Sequence, residues 1–222
     1  MDNIKKLQAI FKNQELLKQA LTHRSWVNEH PKMRESNERL EFLGDAILEF
    51  VITEYIYRSF PQNKEGYLTA LRSNLVNTQN LADLAVKLEV GKQIFLSRGE
   101  KDGGGRENPS LLADTVEAII GALFLDQGLP CVESFIRQNL ATEIPEKVSK
   151  PLKDPKSRLQ EYVQAKGLAA PKYKVIDQSG PDHDRQFTVG VQVREKTMGQ
   201  GRGKSKSLAE QDAAKEALDK IG

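Results

Sequence analysis

Residues 38–45 constrain the fold of this 222-residue chain most strongly, because they place three carboxylates on one side of two helical turns. Each residue of an α-helix turns the chain by about 100°. Glu38, Glu41 and Asp45 have the spacing i, i+3 and i+7, so they share one face. A second face is apolar and consists of residues with the same spacing, Leu40, Leu43 and Ile47. The stretch therefore predicts a helix with one acidic side and one buried side.

Two interpretations of this acidic face are open. Like charges about 4 Å apart repel by about 1 kcal/mol in water, and by more where water is excluded. The face is therefore either solvated and paired with cations such as Arg39, or it binds a cation. Apolar residues flank the carboxylates, which a solvated face would lack. Gly44 lies inside the helix, where it costs roughly 1 kcal/mol relative to alanine, so we expect another part of the molecule to approach its backbone.

A second pair of carboxylates favours the cation-binding interpretation. Asp114 and Glu117 carry the only charges in the apolar stretch 111–120. At i and i+3 they are neighbours on one helical face. Buried helices rarely carry two adjacent carboxylates without a partner. If this helix crosses the first one here, five carboxylates form an all-oxygen cluster, the ligand set that a hard cation such as Mg²⁺ prefers.

Three motifs resemble the ribonuclease III family in their residues, order and spacing. They are LTHRS at 21–25, NERLEFLGD at 37–45 and LADTVEA at 112–118. The resemblance implies a homodimeric endoribonuclease that uses Mg²⁺, for which Mn²⁺ can substitute, and no nucleotide cofactor. It implies hydrolysis of phosphodiester bonds in double-stranded RNA, leaving 5′-phosphates and short 3′ overhangs. Processing of ribosomal RNA precursors and of messenger RNA is the biological role that it implies.

The resemblance also implies a role for each acidic residue. Glu41, Asp114 and Glu117 are expected to hold the metal. Asp45 and Glu117 are expected to form the catalytic pair. The expected supporting carboxylates are Glu38, beside the cluster or the RNA backbone, and Glu65 in the following helix.

Two other side chains in these motifs have alternative interpretations. Phe42 matches an aromatic residue that inserts into the partner subunit in the resembled family, whereas the residues alone also allow an ordinary core phenylalanine. His23 is interpreted as structural rather than catalytic, because nothing near it has the spacing of a nucleophile and its base.

Charge is distributed unevenly along the chain. Residues 1–152 hold 19 Lys/Arg and 21 Asp/Glu, a net charge of −2, whereas residues 153–222 hold 14 and 10, a net charge of +4. Basic surfaces attract phosphate backbones, although +4 alone is weak evidence for nucleic acid. No signal-peptide pattern and no run of ~20 apolar residues is present. Cys131 is the only cysteine, so we expect a cytoplasmic protein without a membrane partner.

Helical periodicity and breakers divide the chain into two domains. Helices are expected in 3–21 (two short ones), 37–59, 65–88, 110–126 and 130–142. Residues 97–109 contain three consecutive glycines and predict a mobile loop. This loop is either a connector or an RNA-contacting segment that carries Arg98, Lys101 and Arg106. Prolines in 144–155 indicate a linker, which gives an all-α endonuclease domain at 1–143, a linker at 144–153 and a second domain at 154–222.

The second domain resembles a double-stranded-RNA-binding domain. Asp154 and Pro155 are typical of the N-cap and first residue of a helix. Strands are expected at 172–177, 186–194 and 197–201, followed by a helix at 205–220. The resemblance implies that this small α+β unit (α-β-β-β-α) reads duplex RNA by its A-form shape. The positions that match the family's RNA contacts are Gln160, Glu161, His183, Lys204 and Lys206, and Ser207 stands where the family usually has another lysine.

Two other functions remain open at this point. One is a non-catalytic double-stranded-RNA-binding protein, against which the intact set of five carboxylates argues. The other is a metal-dependent phosphohydrolase of small molecules, against which the C-terminal domain argues.

Overall fold

The computed structural model describes residues 3–140, 154–181, 185–194 and 196–221. The chain forms two compact units that meet in sequence between Leu152 and Lys153. The first unit is helical, and the second combines helices with a three-stranded antiparallel sheet, which confirms the expected fold class. The expected linker, 144–153, lies outside the described residues, so the domain boundaries stay a prediction. None of the described helices is long and apolar enough to cross a membrane.

The described part of the first unit contains nine α-helices and two short 3₁₀ turns. The helices are α1 (Asn3–Ile10), α2 (Gln14–Ala20), α3 (Arg24–Glu29), α4 (Glu38–Ser59), α5 (Glu65–Leu75), α6 (Thr78–Lys87), α7 (Arg98–Asp102), α8 (Pro109–Gln127) and α9 (Leu129–Asn139), and the 3₁₀ turns are Val90–Gln93 and Gly105–Glu107. The split of 3–21 into two helices and the single long helix after residue 37 are confirmed.

Helix α8 forms the centre of the first unit. It begins at Pro109, and the preceding residue, Asn108, is its N-cap. The Asn108 side chain accepts hydrogen bonds from the backbone N–H groups of Ser110 and Leu111. No surface is exposed at residues 118–120, 122 and 123, and Gly121 between them is also buried. A helix that is apolar on every side must be surrounded by others. Helix α4 packs across one side of α8, and α2, α6 and α9 pack on the remaining sides.

Helices α4 and α8 cross at a pair of glycines. A Cβ atom on Gly44 would overlap the carbonyl oxygen of Glu117, and a Cβ atom on Gly121 would overlap the carbonyl oxygen of Leu40. The two backbones are therefore in direct contact at this point, which residues with a side chain would prevent. The expectation of a close approach at Gly44 is confirmed, and the approaching element is α8.

The expectation of one continuous helix over 65–88 is wrong, because the chain breaks after Val76. Asn77 has an extended backbone, and its side chain accepts a hydrogen bond from the Asn80 N–H at 2.9 Å, so it caps a new helix. The Asn80 side chain in turn donates to the carbonyl of Leu75 at 3.2 Å, at the end of the preceding helix. These local side-chain bonds compete with the helical pattern.

The expectation of a loop over 97–109 is also wrong, because α7 and a 3₁₀ turn occupy most of it. The Ser97 hydroxyl caps α7 by accepting from the Glu100 N–H at 3.1 Å. Gly104 has a φ of 83°, which favours glycine. Gly105 is buried so tightly against Glu100 that a side chain there would collide with it. The glycines thus allow compact turns.

The second unit is a sheet with two helices packed on one face. Its elements are α10 (Pro155–Ala165), β1 (Lys172–Ser179), β2 (Gln186–Val193), β3 (Lys196–Gly203) and α11 (Lys206–Asp219). The strand order is β1-β2-β3, with antiparallel pairs such as Tyr173 to Val191 and Val191 to Gly199. Asp154 caps α10 by accepting from the Ser157 N–H at 3.1 Å, as the sequence predicts.

Helix α11 lies directly on β3. Every second residue of the strand is a glycine at the contact, and a Cβ on Gly199 or Gly201 would collide with the α11 backbone near Ala213. The helix presents a row of fully buried alanines to this face: Ala209, Ala213 and Ala217. Small residues on both elements therefore let the helix approach the sheet closely, and this packing completes the core of the second unit.

We expect Gly44→Ala to destabilise the protein by about 3 kcal/mol or more, because the new methyl group would overlap the α8 backbone. The matched control is Gly66→Ala in the first turn of α5, where a Cβ would meet nothing within 4 Å. This control should gain roughly 0.5–1 kcal/mol from helix propensity. Urea denaturation of both variants measures the effect, and equal stabilities would contradict the proposed crossing.

Candidate active site

Three carboxylates meet beside the glycine crossing. Glu41 lies one turn before Gly44 on α4, and Asp114 and Glu117 lie on α8 in the turns before Gly121. One carboxylate oxygen from each of the three lies within 4.8 Å of the others, and all three side chains are half-buried. Because the backbones touch at the glycines, carboxylates from the two helices converge without an intervening side chain. This group has the composition and spacing to hold a divalent cation.

Burial and mutual repulsion raise the pKa values of these carboxylates. Burial, followed by the charges of Asp45, Asp114 and Glu41, raises the pKa of Glu117 to about 7. Burial and the neighbouring Asp114 also raise the pKa of Glu41. Burial raises the pKa of Asp114, against the opposing charge of His23. A cation bound among them would remove this repulsion, so the site is arranged to favour metal binding.

Asp45 and Glu38 lie at the exposed edge of the cluster. Asp45 is on the surface of α4, and its charge contributes to the raised pKa of both Glu117 and Glu41. Glu38 is exposed in the first turn of α4, where it accepts from the Ser36 hydroxyl at 2.9 Å and pairs with Arg24 at 3.6 Å. The structure thus groups three of the five expected carboxylates closely and leaves these two around them.

Glu65 does not join the three-carboxylate group. It lies exposed in the first turn of α5, and its carboxylate accepts a hydrogen bond from the Thr69 hydroxyl one turn later at 2.9 Å. An exposed acidic residue in the first turn is favourable for the helix by itself. Its expected supporting role stays a prediction.

A small polar pocket adjoins the cluster. It has a volume of about 230 Å³, and its lining includes His23, Arg24, Asn37, Glu38, Glu41 and Asp114. His23 caps α3 by accepting from the Ser25 N–H at 3.3 Å, which accounts for the structural role expected from the sequence. Burial lowers the pKa of His23, against the nearby charge of Glu100. The sequence reasoning missed that this side chain also borders the acidic cluster.

The side chain of Phe42 points away from the core of its own unit. It is 82% exposed, so the alternative of an ordinary core phenylalanine is wrong. Two further aromatic residues are exposed on α4, Phe50 at 56% and Tyr57 at 70%. A pocket of about 460 Å³ opens between the second half of α4 and α5, and its lining includes Ile56, Tyr57, Leu68 and Arg72.

The cations expected in the segment 97–109 differ in their surroundings. Arg106 is half-buried and donates to the carbonyl of Gly91 at 2.7 Å, so it has a structural contact. Arg98 is exposed, with a long ion pair to Asp102 at 3.8 Å, and Lys101 is exposed beside it.

The described RNA-binding candidates of the second unit are all on its surface. Gln160 and Glu161 are exposed on α10. Lys204 is exposed just before α11, and Lys206 is its first residue, next to the N-cap Ser205. Ser207 is exposed beside them. His183, the fifth candidate, lies outside the described residues.

Comparisons with known proteins agree with this architecture. A family model described as Ribonuclease-III-like matches residues 13–144, and one described as Double-stranded RNA binding motif matches residues 155–221. The ribonuclease 3 of Bacillus licheniformis is 46% identical over 95% of this chain and 85% of its own length. That of Roseiflexus is 46% identical over 97% of this chain and 93% of its own length.

The chain belongs to the ribonuclease III family. This confirms the resemblance seen in the three sequence motifs. Members of the ribonuclease III family are endoribonucleases specific for double-stranded RNA, and this chain contains both the nuclease region and the RNA-binding motif.

Solved nuclease domains of this family support the same assignment. Two structures of the ribonuclease III nuclease domain from Campylobacter jejuni are 42% identical to this chain, each with a TM-score of 0.55. They cover 61% and 66% of this chain, and 97% and 96% of their own. One of these structures shows structural flexibility in a region involved in dimer formation of that nuclease domain.

Without divalent cations, Glu117 should make the stability of the ribonuclease III nuclease unit depend on pH. Its pKa rises from 4.5 to about 7 on folding, so the folded state is penalised as pH increases through that interval. The penalty is absent below pH 4.5 and complete above pH 7. Glu117→Gln cannot ionise, so its Tm should exceed that of the wild type at pH 8 and match it near pH 4.

Thermal unfolding in a chelating buffer at both pH values measures this difference. The same Tm difference at both pH values would contradict the raised pKa of Glu117. Added Mg²⁺ should reverse the order at pH 8 by stabilising the wild type alone.

Proposed function

We propose that this protein uses Mg²⁺ to hydrolyse phosphodiester bonds in double-stranded RNA, leaving 5′-phosphates and short 3′ overhangs. The observation that carries the proposal is the convergence of Glu41, Asp114 and Glu117, whose oxygens lie within 4.8 Å of one another. Mn²⁺, which has similar coordination, is expected to substitute. A cytoplasmic role in processing ribosomal RNA precursors and messenger RNA is part of the proposal, by analogy with the family.

The donor set fits a hard divalent cation. All three candidate ligands are carboxylates, and no Cys or His is grouped with them among the described residues. Mg²⁺ is usually held by a few carboxylates together with water and substrate phosphate. Burial raises the pKa of all three ligands, and repulsion by neighbouring carboxylates raises it further for Glu41 and Glu117. A bound cation would favour the charged form of each ligand and so oppose both effects. Binding should therefore release protons near neutral pH.

Each carboxylate has a distinct proposed task. Glu41, Asp114 and Glu117 hold the cation, which when bound supplies a nucleophilic water and neutralises charge on the leaving oxygen. Asp45 is exposed beside Glu117, where it can orient the attacking water and accept its proton. Asp45 and Glu117 together form the proposed catalytic pair. Glu38 is positioned at the outer edge, where its contacts with Arg24 and Ser36 fit a supporting role.

The second unit is proposed to supply affinity for duplex RNA. Lys206 and Lys204 are exposed at the start of α11, where cationic side chains and the helix dipole both favour phosphate. Gln160 and Glu161 on α10 are the proposed minor-groove contacts. His183, which lies in the sequence between β1 and β2, is a further proposed RNA contact. Because Ser207 replaces a lysine, one phosphate contact would depend on Lys204 or Arg202 instead.

A two-fold dimer is proposed to form through α4. Phe42 is an exposed aromatic side chain near one end of α4, and the pocket between α4 and α5 lies near the other end. In a dimer with antiparallel α4 helices, Phe42 of each copy can enter this pocket of the other copy. The pocket wall is held by Arg72, which pairs with Glu49 at 2.8 Å and donates to Thr53 at 3.0 Å.

Glu117→Gln should abolish cleavage of long duplex RNA while leaving duplex affinity nearly unchanged. The carboxylate is needed for the metal, whereas most affinity arises from contacts of cations with phosphate. Gel analysis of cleavage with and without Mg²⁺, and filter binding without Mg²⁺, measure the two effects. Asp83→Asn on α6 is the matched control, since it removes one exposed negative charge outside the cluster. A Glu117→Gln variant that cuts like the control would refute the assignment of the active site.

Phe42→Ala should convert the dimer into a folded monomer with weak double-strand cleavage. Because Phe42 is 82% exposed, its removal leaves no cavity in the monomer core, whereas an aromatic anchor at an interface contributes strongly to association. Leu125→Ala is the control, since it truncates a 55% exposed apolar side chain on α8. Sedimentation velocity and circular dichroism distinguish the outcomes. A Phe42→Ala dimer as stable as that of the control would exclude the proposed interface.

A further inference from the structure

The hydrogen bonds of His23 determine which of its ring nitrogens carries the proton. The backbone N–H of Ser25 donates to His23 Nδ1 at 3.3 Å, and the Ser25 hydroxyl lies 2.8 Å from the same nitrogen. A backbone N–H can only donate, so Nδ1 must offer its lone pair. In the neutral imidazole the proton therefore lies on Nε2, which is a hydrogen-bond donor.

Ser25 is itself held in place from a distant part of the chain. Its hydroxyl oxygen accepts a hydrogen bond from the Ser97 N–H at 3.1 Å. With that donor on its oxygen, the Ser25 hydroxyl proton is free to point at His23 Nδ1. Two bonds from Ser25 thus fix the ring orientation of His23 as well as its tautomer.

The pocket beside the acidic cluster needs donors if it is to take part of the RNA. Its volume of about 230 Å³ is below the roughly 300–1,000 Å³ of pockets for whole small molecules, so it suits a single phosphate group. Glu41 and Asp114 border it, so a phosphate here would adjoin the metal ligands. Asn37 is buried and its amide already donates to the Ala20 carbonyl at 3.3 Å. His23 and Arg24 are the lining side chains that can face an anion.

We propose that His23 donates a hydrogen bond from Nε2 to a non-bridging phosphate oxygen of the RNA strand bound at the acidic cluster. It contacts the substrate and orients the phosphate for attack, and it does not bind the metal. Arg24 follows His23 in the sequence, is exposed and forms an ion pair of 3.6 Å with Glu38. It neutralises part of the phosphate charge. This proposal rests on the proposed nuclease function.

The tautomer can be tested in the metal-free protein without RNA. Long-range ¹H–¹⁵N correlation spectra distinguish protonated from unprotonated imidazole nitrogens. His30 provides an internal contrast, because its Nδ1 lies 3.0 Å from the Trp26 carbonyl, which can only accept, so that ring must carry its proton on Nδ1. We expect opposite tautomers for the two residues. An Nδ1-protonated His23 would overturn the proposal.

His23→Asn separates the substrate contact from the helix cap. Asparagine is a good N-cap, so its side-chain oxygen can still accept from the Ser25 N–H, but it has no donor at the position of Nε2. We expect an unchanged Tm and an unchanged Tm shift with Mg²⁺. The single-turnover cleavage rate at saturating RNA should fall by about tenfold or more, the effect of losing a hydrogen bond to a charged group.

His23→Gln is the matched rescue variant. Its amide nitrogen can reach the position of Nε2 as a donor, so it should retain more of the cleavage rate than His23→Asn, although it caps the helix less well. A merely structural role predicts the reverse order of the two variants. If the wild type cuts duplex RNA and His23→Asn cuts equally fast, the His23 contact is refuted while the nuclease function stands. If the wild type does not cut, the nuclease function fails and the His23 contact fails with it.

Discussion

The direct contact between the backbones of α4 and α8 determines the positions of the other parts of the nuclease unit. The contact is reciprocal, since the Leu40 carbonyl occupies the space beside Gly121 and the Glu117 carbonyl occupies the space beside Gly44. Each helix therefore contributes to the site from the turns that precede its own glycine. Any side chain at the crossing would separate the helices and move the carboxylates apart. The acidic site thus depends on two residues that have no chemistry of their own.

The same closeness has an electrostatic cost. Carboxylates that lie within 4.8 Å of one another and are half-buried repel strongly when ionised. The pKa of Glu117, raised to about 7 by burial and by its acidic neighbours, expresses that cost. A buried, apolar α8 is what holds the carboxylates together against it, because eleven of its residues are packed in the core. Stability of the core is therefore used to maintain a site that is unfavourable until a cation binds.

Much of this arrangement could be predicted from the sequence because it depends on local spacing. The faces of α4 and α8, the cap Asp154 and the need for space at Gly44 all follow from neighbouring residues. The partner of Gly44 did not, since Gly121 lies far away in sequence and only the crossing brings the two together. The break at Asn77 and the helix after Ser97 were missed because single side chains, bonded to nearby backbone, overrode the general periodicity.

The features that could not be predicted from the sequence are contacts over long sequence distances. His23 has no catalytic spacing, yet Ser25 and the distant Ser97 fix its ring beside the acidic cluster. Such outcomes depend on how elements pack, which a pattern of residue types does not determine.

Anomalous scattering from crystals grown with Mn²⁺ tests the central claim most directly. We expect an anomalous peak at roughly 2.0–2.2 Å from oxygens of Glu41, Asp114 and Glu117, the distance typical of divalent cations with oxygen ligands. The peak should be absent from crystals of the Glu117→Gln variant. A wild-type crystal with Mn²⁺ bound elsewhere, or with no peak among these three carboxylates, would contradict the account.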